Sequence, residues 1–451
     1  MYILGIETSC DETAASVVKD GQTILSNVVV SQIDIFKEYG GVIPEVAARS
    51  HLEAILPVIH EAIRQAEKTD PEFYTRNHTE KEKECTLSLT GIDAIAVTHT
   101  PGLLGSLLIG TLTARTLAIL HHKPLYPVHH LKSHIYANWL ANRQPENQSK
   151  CSFEGGTEPG KASISAETPV ATAPWDAEGR RPTGVSDAPR ERCISIDFPL
   201  LALVVSGGHT QIIRMLAHNQ FEIIGTTRDD AVGECFDKVA KILGLPYPGG
   251  PSISKAAKNG NPKKYHFPHP RLSSPNRGET KYSGLDFSFS GLKTAVLREV
   301  QKATGKPISF PSHELKNLLS EQQIADFAAS FEETATDILI ENLQKALALY
   351  PDTKSICLAG GVSANELLRS KSKCSFERVD TEIAKGNFQG RDNLPSEKSP
   401  LAIPVFFPSK SLSGDNAAMV AAAAYYEIQS GVQPTDPYHV SLSPRSPITA
   451  S

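Results

Sequence analysis

No stretch of this chain offers the roughly 18 to 20 uninterrupted apolar residues that a membrane-spanning helix needs, so no membrane span is expected. Residues 2–6 are apolar but carry neither a basic flank nor a small-residue cleavage site, which predicts no signal or transit peptide. Cysteine is scarce. The seven (Cys10, Cys85, Cys151, Cys193, Cys235, Cys357 and Cys374) are scattered, odd in number and form no CxxC pair. That speaks against a disulfide framework or a zinc ribbon and for a reducing, cytoplasmic setting. Basic charge is not in excess either: 45 Lys and Arg stand against 50 Asp and Glu, a formal net charge of −5. A general nucleic-acid coat needs a strongly basic face, so at most a local basic patch that docks one RNA is expected. HExxH, the P-loop pattern and a full GxGxxG are all missing.

What is present is a soluble globular composition, 40% apolar and 21% charged, in 451 residues. That length exceeds one compact core and predicts two lobes. An internal duplication supports the division. Residues 2–6, a polar turn over 7–13 and residues 14–18 read as a hairpin, and residues 200–205, the turn Ser206-Gly207-Gly208-His209-Thr210 and residues 211–215 repeat the scheme. Two such hairpins, facing, suit the clamping of a phosphate or acyl group. Helical spacing follows over 43–65 and 103–120, and again where Ile324, Phe327, Phe331, Ala335, Ile338 and Leu339 line one face. Three segments, 68–88, 142–197 and 371–400, are polar and aperiodic and read as insertions.

Four motifs carry chemistry. In Pro127-Val128-His129-His130-Leu131-Lys132-Ser133-His134, His130 and His134 are four apart, so both imidazoles share a helical face and can reach one divalent ion. The plainer reading is a pair of capping or core histidines. Asp415, in Ser413-Gly414-Asp415-Asn416 before an Ala-rich helix, reads first as an N-cap and second as the carboxylate of a two-histidine, one-carboxylate site. The run from Ile356 through Gly360-Gly361 to Asn365 is a strand turning into a helix, where backbone can approach an anion or a nucleotide edge. Asp229, Asp230, Glu234 and Asp237 fall within nine positions, ahead of Tyr247-Pro248-Gly249-Gly250-Pro251. A ribose acceptor at Asp237 beside a close-approach Gly250 competes there with a charged helix start and a plain turn. The alternating Phe287-Ser288-Phe289-Ser290 is a candidate substrate wall.

In this order, these segments closely resemble the bacterial TsaD family of tRNA threonylcarbamoyl adenosine transferases, together with Gly5-Ile6-Glu7-Thr8-Ser9-Cys10-Asp11-Glu12-Thr13. The resemblance spares only the three polar insertions. It implies a two-lobed α/β fold of the actin, Hsp70 and sugar-kinase type, ribonuclease H-like, with mixed sheets and flanking helices. Residues 1–141 would form the first lobe, joined by a C-terminal helix over 413–440. Residues 198–412 would form the second, and 142–197 a flexible polar insertion. The implied activity moves threonylcarbamoyl from threonylcarbamoyl-AMP to the N6 amine of adenosine 37 in tRNAs reading codons that begin with adenine. His130, His134 and Asp415 would hold one divalent metal, iron(II) first and zinc as the alternative. Val204, Val205, Ser206, Gly207, Gly208, Asp237, Gly250 and Asn365 would hold the adenylate, and Glu12, or after it Asp11, would take the amine proton. Implied partners are tRNA, a paralogous TsaB-like dimerisation subunit and a small TsaE-like ATPase, with no membrane. Two departures stand out: Gly414 where the family has Thr, and Ser254 where many members have Asp. A metalloprotease, a small-molecule kinase of the same fold and a non-catalytic scaffold are the rival readings; the protease lacks a glutamate between its histidines.

Overall fold

One strand order occurs twice in this chain. A computed structural model describes residues 1–37, 39–78, 87–140, 195–269, 284–377, 402–445 and 448. In the first sheet β1 (Tyr2–Glu7), β2 (Glu12–Lys19) and β3 (Thr23–Ser31) form an antiparallel meander. Then β4 (Ala94–Thr100) and β5 (Leu125–His129) add in parallel, giving the order β3-β2-β1-β4-β5. The second sheet repeats it with β6 (Leu200–Val205), β7 (Thr210–Ala217), β8 (Gln220–Thr226), β9 (Ser355–Ala359) and β10 (Val405–Phe406), ordered β10-β9-β6-β7-β8. This is the ribonuclease H-like arrangement, and its duplication makes the fold α/β with two mixed sheets. Both hairpins read from the sequence are present, β1–β2 and β6–β7.

Twelve helices are described. In the first half they are α1 (Ile33–Lys37), α2 (Pro44–Thr69), α3 (Pro71–Asn77), α4 (Leu104–Leu120) and α5 (His130–Tyr136). The second half has α6 (Val232–Leu243), α7 (Gly249–Ala257), α8 (Ser290–Ala303), α9 (Glu321–Leu349), α10 (Glu366–Phe376), α11 (Lys410–Ser413) and α12 (Ala417–Gln429). None of them is long and apolar enough to cross a membrane. The C-terminal helix α12 is shorter than the 413–440 that the resemblance implied. The polar segments also begin later than composition suggests. Lys68 and Thr69 complete α2, α3 buries Phe73 against Tyr2, and residues 371–376 belong to α10. The remainders at 79–86, 142–194 and 378–400 lie outside the described residues.

Side-chain alternation along the central strands distributes the core. Tyr2, Leu4 and Ile6 face α2 and α4, while Ile3 faces α12. Leu201, Leu203 and Val205 of β6 face α6 and α9, while Leu200, Ala202 and Val204 join the cluster around α12 and α5. A helix apolar on every side belongs in the interior, and α12 is buried almost all round through Ala417, Ala418, Ala421, Ala422, Ala423 and Ala424. Its approach to β1 depends on Gly5, where a Cβ would lie 2.2 Å from the carbonyl oxygen of Ala417. Backbone, not a movable side chain, blocks that space. Gly5→Ala is therefore expected to cost about 1–3 kcal/mol by overpacking, read as a lowered denaturation midpoint with the slope unchanged.

Candidate active site

Helix α5 starts where β5 ends, and His129 caps it by accepting the Leu131 amide on Nδ1 at 3.2 Å. His130 and His134 then stack edge to face on one side of the helix, ring centroids 4.6 Å apart, both buried. Asp415 arrives from the loop between α11 and α12. It is not the N-cap: Asn416 is, accepting the Met419 amide at 3.1 Å, so the Asp415 carboxylate is free for another purpose. Asp415 Oδ1 lies 3.1 Å from His134 Nε2 and 3.6 Å from His130 Nε2. The three ligand atoms all lie within 4.8 Å of one another, near enough to share one ion. Neither ring nitrogen of His134 completes a hydrogen bond among the described residues, and a bound cation would relieve the cost of that buried orphan. The donor set, two imidazoles and one carboxylate, fits a divalent ion with open positions.

Behind His130 stands Glu7, fully buried at the end of β1. Its Oε2 receives His130 Nδ1 at 3.2 Å and the Thr98 hydroxyl, and its Oε1 receives the Ser9 amide at 2.6 Å. A carboxylate behind a ligating histidine fixes ring and tautomer. Sequence reasoning gave Glu7 no role of its own. Burial alone would raise Glu7, but the charge and hydrogen bond of His130 outweigh it and leave the carboxyl lowered. Burial alone would likewise lower His130, yet Asp415 and Glu7 hold it at about 9. Asp415, which burial would raise, is brought to about 2 by His130 and His134. His209, in the β6–β7 turn, is pushed down to about 4 by burial and then by the charges of His130 and His134.

The β1–β2 turn carries Asp11, and Glu12 opens β2 beside it. Burial raises both, and Glu12, with Asp11 and Asp415 nearby, lies well above the usual carboxylate range. Two close carboxyls cannot both ionise cheaply. His51 of α2 holds this turn from beneath: Nε2 donates to the Cys10 carbonyl at 2.9 Å and Nδ1 pairs with the Thr13 hydroxyl at 2.7 Å. Tyr247 is raised by burial and then by the charges of Asp11 and Asp237.

On the second sheet, Val204 and Val205 are fully buried core, so only their backbone can serve a ligand. Ser206, Gly207 and Gly208 form the open turn, and α6 packs against it through Gly233, where a Cβ would lie 2.6 Å from the Ser206 carbonyl oxygen. Of the four acids near α6, Asp229 takes the hydroxyls of Ser288 and Ser290 and so anchors α8, and Asp230 pairs with Lys238 and Lys293. Glu234 also pairs with Lys238. Asp237 differs: burial raises it, and its Oδ1 accepts the Gly249 amide at 2.7 Å, beside the unobstructed Gly250. Phe287 and Phe289 are core rather than a substrate wall. Asn365 caps α10 through Oδ1 and donates from Nδ2 to Glu332 at 2.6 Å and to Ser254 at 3.1 Å. Glu332 and the clamp residue Arg369, which donates to Ser363 O, Pro408 O and Ser413 Oγ, were not singled out by the sequence.

These features define a class: a two-lobed α/β protein of the actin, Hsp70 and sugar-kinase fold with a possible His/Asp metal site where its two hairpin turns meet. The model of the TsaD family, tRNA N6-adenosine threonylcarbamoyltransferase, matches residues 23–151 and 188–422, and the chain belongs to that family. A protein of that name from Symbiobacterium thermophilum is 40% identical over 431 residues, covering 96% of this chain and 93% of that one. Its counterpart from Thermomicrobium roseum is 39% identical over 442 residues, covering 96% and 93%. Among solved structures, full-length HypF in its phosphate- and nucleotide-bound form has a TM-score of 0.44 at 11% identity, covering 95% of this chain and 46% of that one.

In the metal-free protein His130 holds a proton up to pH about 9, whereas a ligating imidazole must be neutral. Metal uptake therefore releases one proton, and affinity for a divalent cation is expected to rise about tenfold per pH unit towards pH 9, then level off. Competitive metal titration across pH reads this directly; a flat profile would remove His130 from the site. Glu7→Gln is expected to weaken the same affinity about 10–100-fold. Gly414 has open space around it and an extended backbone, φ −77° and ψ 179°. Gly414→Thr should accordingly fold normally and bind metal no more weakly than the parent chain.

Proposed function

We propose that this chain transfers the threonylcarbamoyl group of threonylcarbamoyl-AMP to the N6 amine of adenosine 37 in tRNAs reading codons that begin with adenine, releasing AMP. The observation that carries the reading is identity to proteins named for that transfer along almost the whole chain, with the His130, His134 and Asp415 donors brought together. The triad forms despite Gly414, which counts against a scaffold that has lost its metal.

The acyl donor is a mixed anhydride and already activated, so no protein nucleophile is needed. The amine nitrogen attacks the carbamoyl carbon, the carbon–oxygen bond to phosphate breaks, and AMP leaves with the electron pair. Alignment of amine and carbonyl can supply about 7–11 kcal/mol of barrier lowering. The Ser206-Gly207-Gly208 turn, Asp237, Gly250 and Asn365 would hold the adenylate, the exposed glycines by backbone amides and Asp237 as ribose acceptor. Glu12 accepts the proton leaving the amine; burial, Asp11 and Asp415 raise its carboxyl well above the usual carboxylate range, which makes its carboxylate a stronger base than a free one. After burial, Asp11 is the neighbour that raises it most. The divalent ion, iron(II) before zinc on this donor set, would polarise a reacting oxygen or offset the leaving phosphate's charge.

A TsaB-like paralogue and a TsaE-like ATPase are the proposed partners, in the cytoplasm. For the paralogue, α2 and α4 pack together and expose Leu52, Leu56, Leu104, Leu108 and Leu112, between 42% and 65% exposed. An apolar surface of that kind suits a subunit interface.

The deciding experiment combines the purified protein, its partner subunits, an adenylate-forming synthase, threonine, bicarbonate, ATP and unmodified tRNA, followed by mass spectrometry of digested nucleosides. Threonylcarbamoyladenosine is expected with the parent chain and none with His134→Ala. Glu12→Ala should lower kcat about 10²–10⁴-fold. Full activity in Glu12→Ala would remove the base, and no product from the parent chain with metal bound would remove the transferase reading.

A further inference from the structure

Charge is distributed very unevenly along this acidic chain. From Lys238 through Gly278 there are eight Lys and Arg and no Asp or Glu, +8 within a protein of −5, which leaves −13 for the rest. The fold brings the part of this charge carried by Lys255, Lys258, Lys263 and Lys264 beside the site. Helix α7 begins with Gly249 and Gly250 and carries Ser254, the hydroxyl shared with Asn365 and Glu332. The next residue is Lys255, and Lys258, Lys263 and Lys264 follow on the end of α7 and the loop beyond it. All four side chains are exposed, and none makes an ion pair with a described carboxylate. Elsewhere the lysines near the site are neutralised, Lys238 and Lys293 by Asp230 and Lys410 by Glu366.

The loop is held rigidly by α9. Asn261 N donates to Asp326 Oδ1 at 2.8 Å, Tyr265 N to Ser330 Oγ at 3.2 Å, and Ser330 Oγ to the Asn261 carbonyl at 3.2 Å. The Tyr265 ring stacks on Phe327 with centroids 3.8 Å apart. Backbone and aromatic groups thus anchor the segment, while its lysines are left free. Lysines of one sign, fixed in place and lacking acid partners, match a polyanion with a repeating charge. A single small anion would need only one or two of them.

We propose that Lys255, Lys258, Lys263 and Lys264 form the surface that receives the phosphate backbone of the RNA next to the nucleotide being modified. This rests on the transferase reading and adds to it the docking face. The target base must reach the junction of the two turns, so the flanking backbone crosses the adjoining surface, and α7 supplies it. Phosphate contacts of this kind set register and affinity without reading sequence.

The test uses the full-length chain carrying K255A, K258A, K263A and K264A together, with the all-arginine quadruple variant alongside. Binding of unmodified tRNA is measured against NaCl concentration, and the complete assay gives kcat and both KM values. The alanine variant is expected to lose about 3 from the log–log salt slope, roughly 0.7–0.9 per phosphate contact. Its KM for tRNA should rise about tenfold or more, with kcat and the KM for the adenylate unchanged. The arginine variant should keep the parent slope. An unchanged slope and tRNA KM would overturn the proposal. So would normal tRNA binding with lost assembly on the partner subunits, which would make this face a protein interface. A parent chain that binds tRNA without modifying it would count against the transferase reading, while its salt slope would still decide the surface.

Discussion

A buried carboxylate at the end of the first strand organises much of what surrounds it. Ionised and unpaired, Glu7 would cost several kcal/mol in such a place, an order-of-magnitude figure. Here both oxygens are used, and each partner comes from a different element: Ser9 from the β1–β2 turn, Thr98 from β4 and His130 from α5. Losing any one of them would leave the charge undercompensated, so the turn, the strand and the helix are held together. Two residues earlier on the same strand, Gly5 lets α12 close in and bring the loop bearing Asp415 over the histidines. One strand end therefore sets the positions of both imidazoles and, through α12, of the carboxylate.

Much of the fold was legible because its elements are strongly patterned. The hairpins show as apolar runs broken by hydroxyl and glycine turns, and the strand order then duplicates with them. That His130 and His134 share one helical face was legible from their spacing, while capping or core histidines fit that spacing equally well. Asp415 was not legible. Adjacent Asp and Asn are both good caps, and nothing local says that Asn416 caps while Asp415 turns to residues nearly 300 positions away. The polar segments misled for a related reason. Average charge over 68–88 hides Phe73 and Asn77, both buried, and so hides α3. Glu7 and His51 act through contacts between distant segments, which no local pattern encodes. For Glu7, family resemblance located the motif without supplying the physical role, and His51 lay outside every motif singled out.

The acids near α6 show how the fold divides one sequence cluster between different tasks. Asp229 and Asp230 are used in fixing α8 and neutralising lysines, and only Asp237 remains beside the open Gly250. Asn365 has a similar double duty. Its carbonyl oxygen is taken by the α10 cap and its amide by Glu332 and Ser254. An Asp at 254 would set a second carboxylate against Glu332. The serine avoids that repulsion and donates instead, so the departure from the family pattern is chemically matched by its neighbour.

Between the two histidines sits Lys132, buried, 3.7 Å from the equally buried Glu427 of α12 and 3.3 Å from Asn219 Oδ1 in the β7–β8 turn. Such a pair adds little net stability, because desolvation offsets most of the attraction, but breaking it is costly. Its value here is geometric. Helix α5 is fixed by its own His129 cap, by Lys132 to α12 and the second sheet, and by Asn138 at the following turn, which donates to the Leu358 carbonyl of β9 at 3.2 Å. The cation donors are thereby referenced to both sheets at once. His209 in the β6–β7 turn is pushed down to about 4 and is neutral near pH 7. Glu7 and Asp415 hold His130 at about 9, so before metal uptake it carries a proton near pH 7. Exchanging that proton for a dication raises the local charge by one without moving a carboxylate, where a phosphate or a developing oxyanion would be stabilised most.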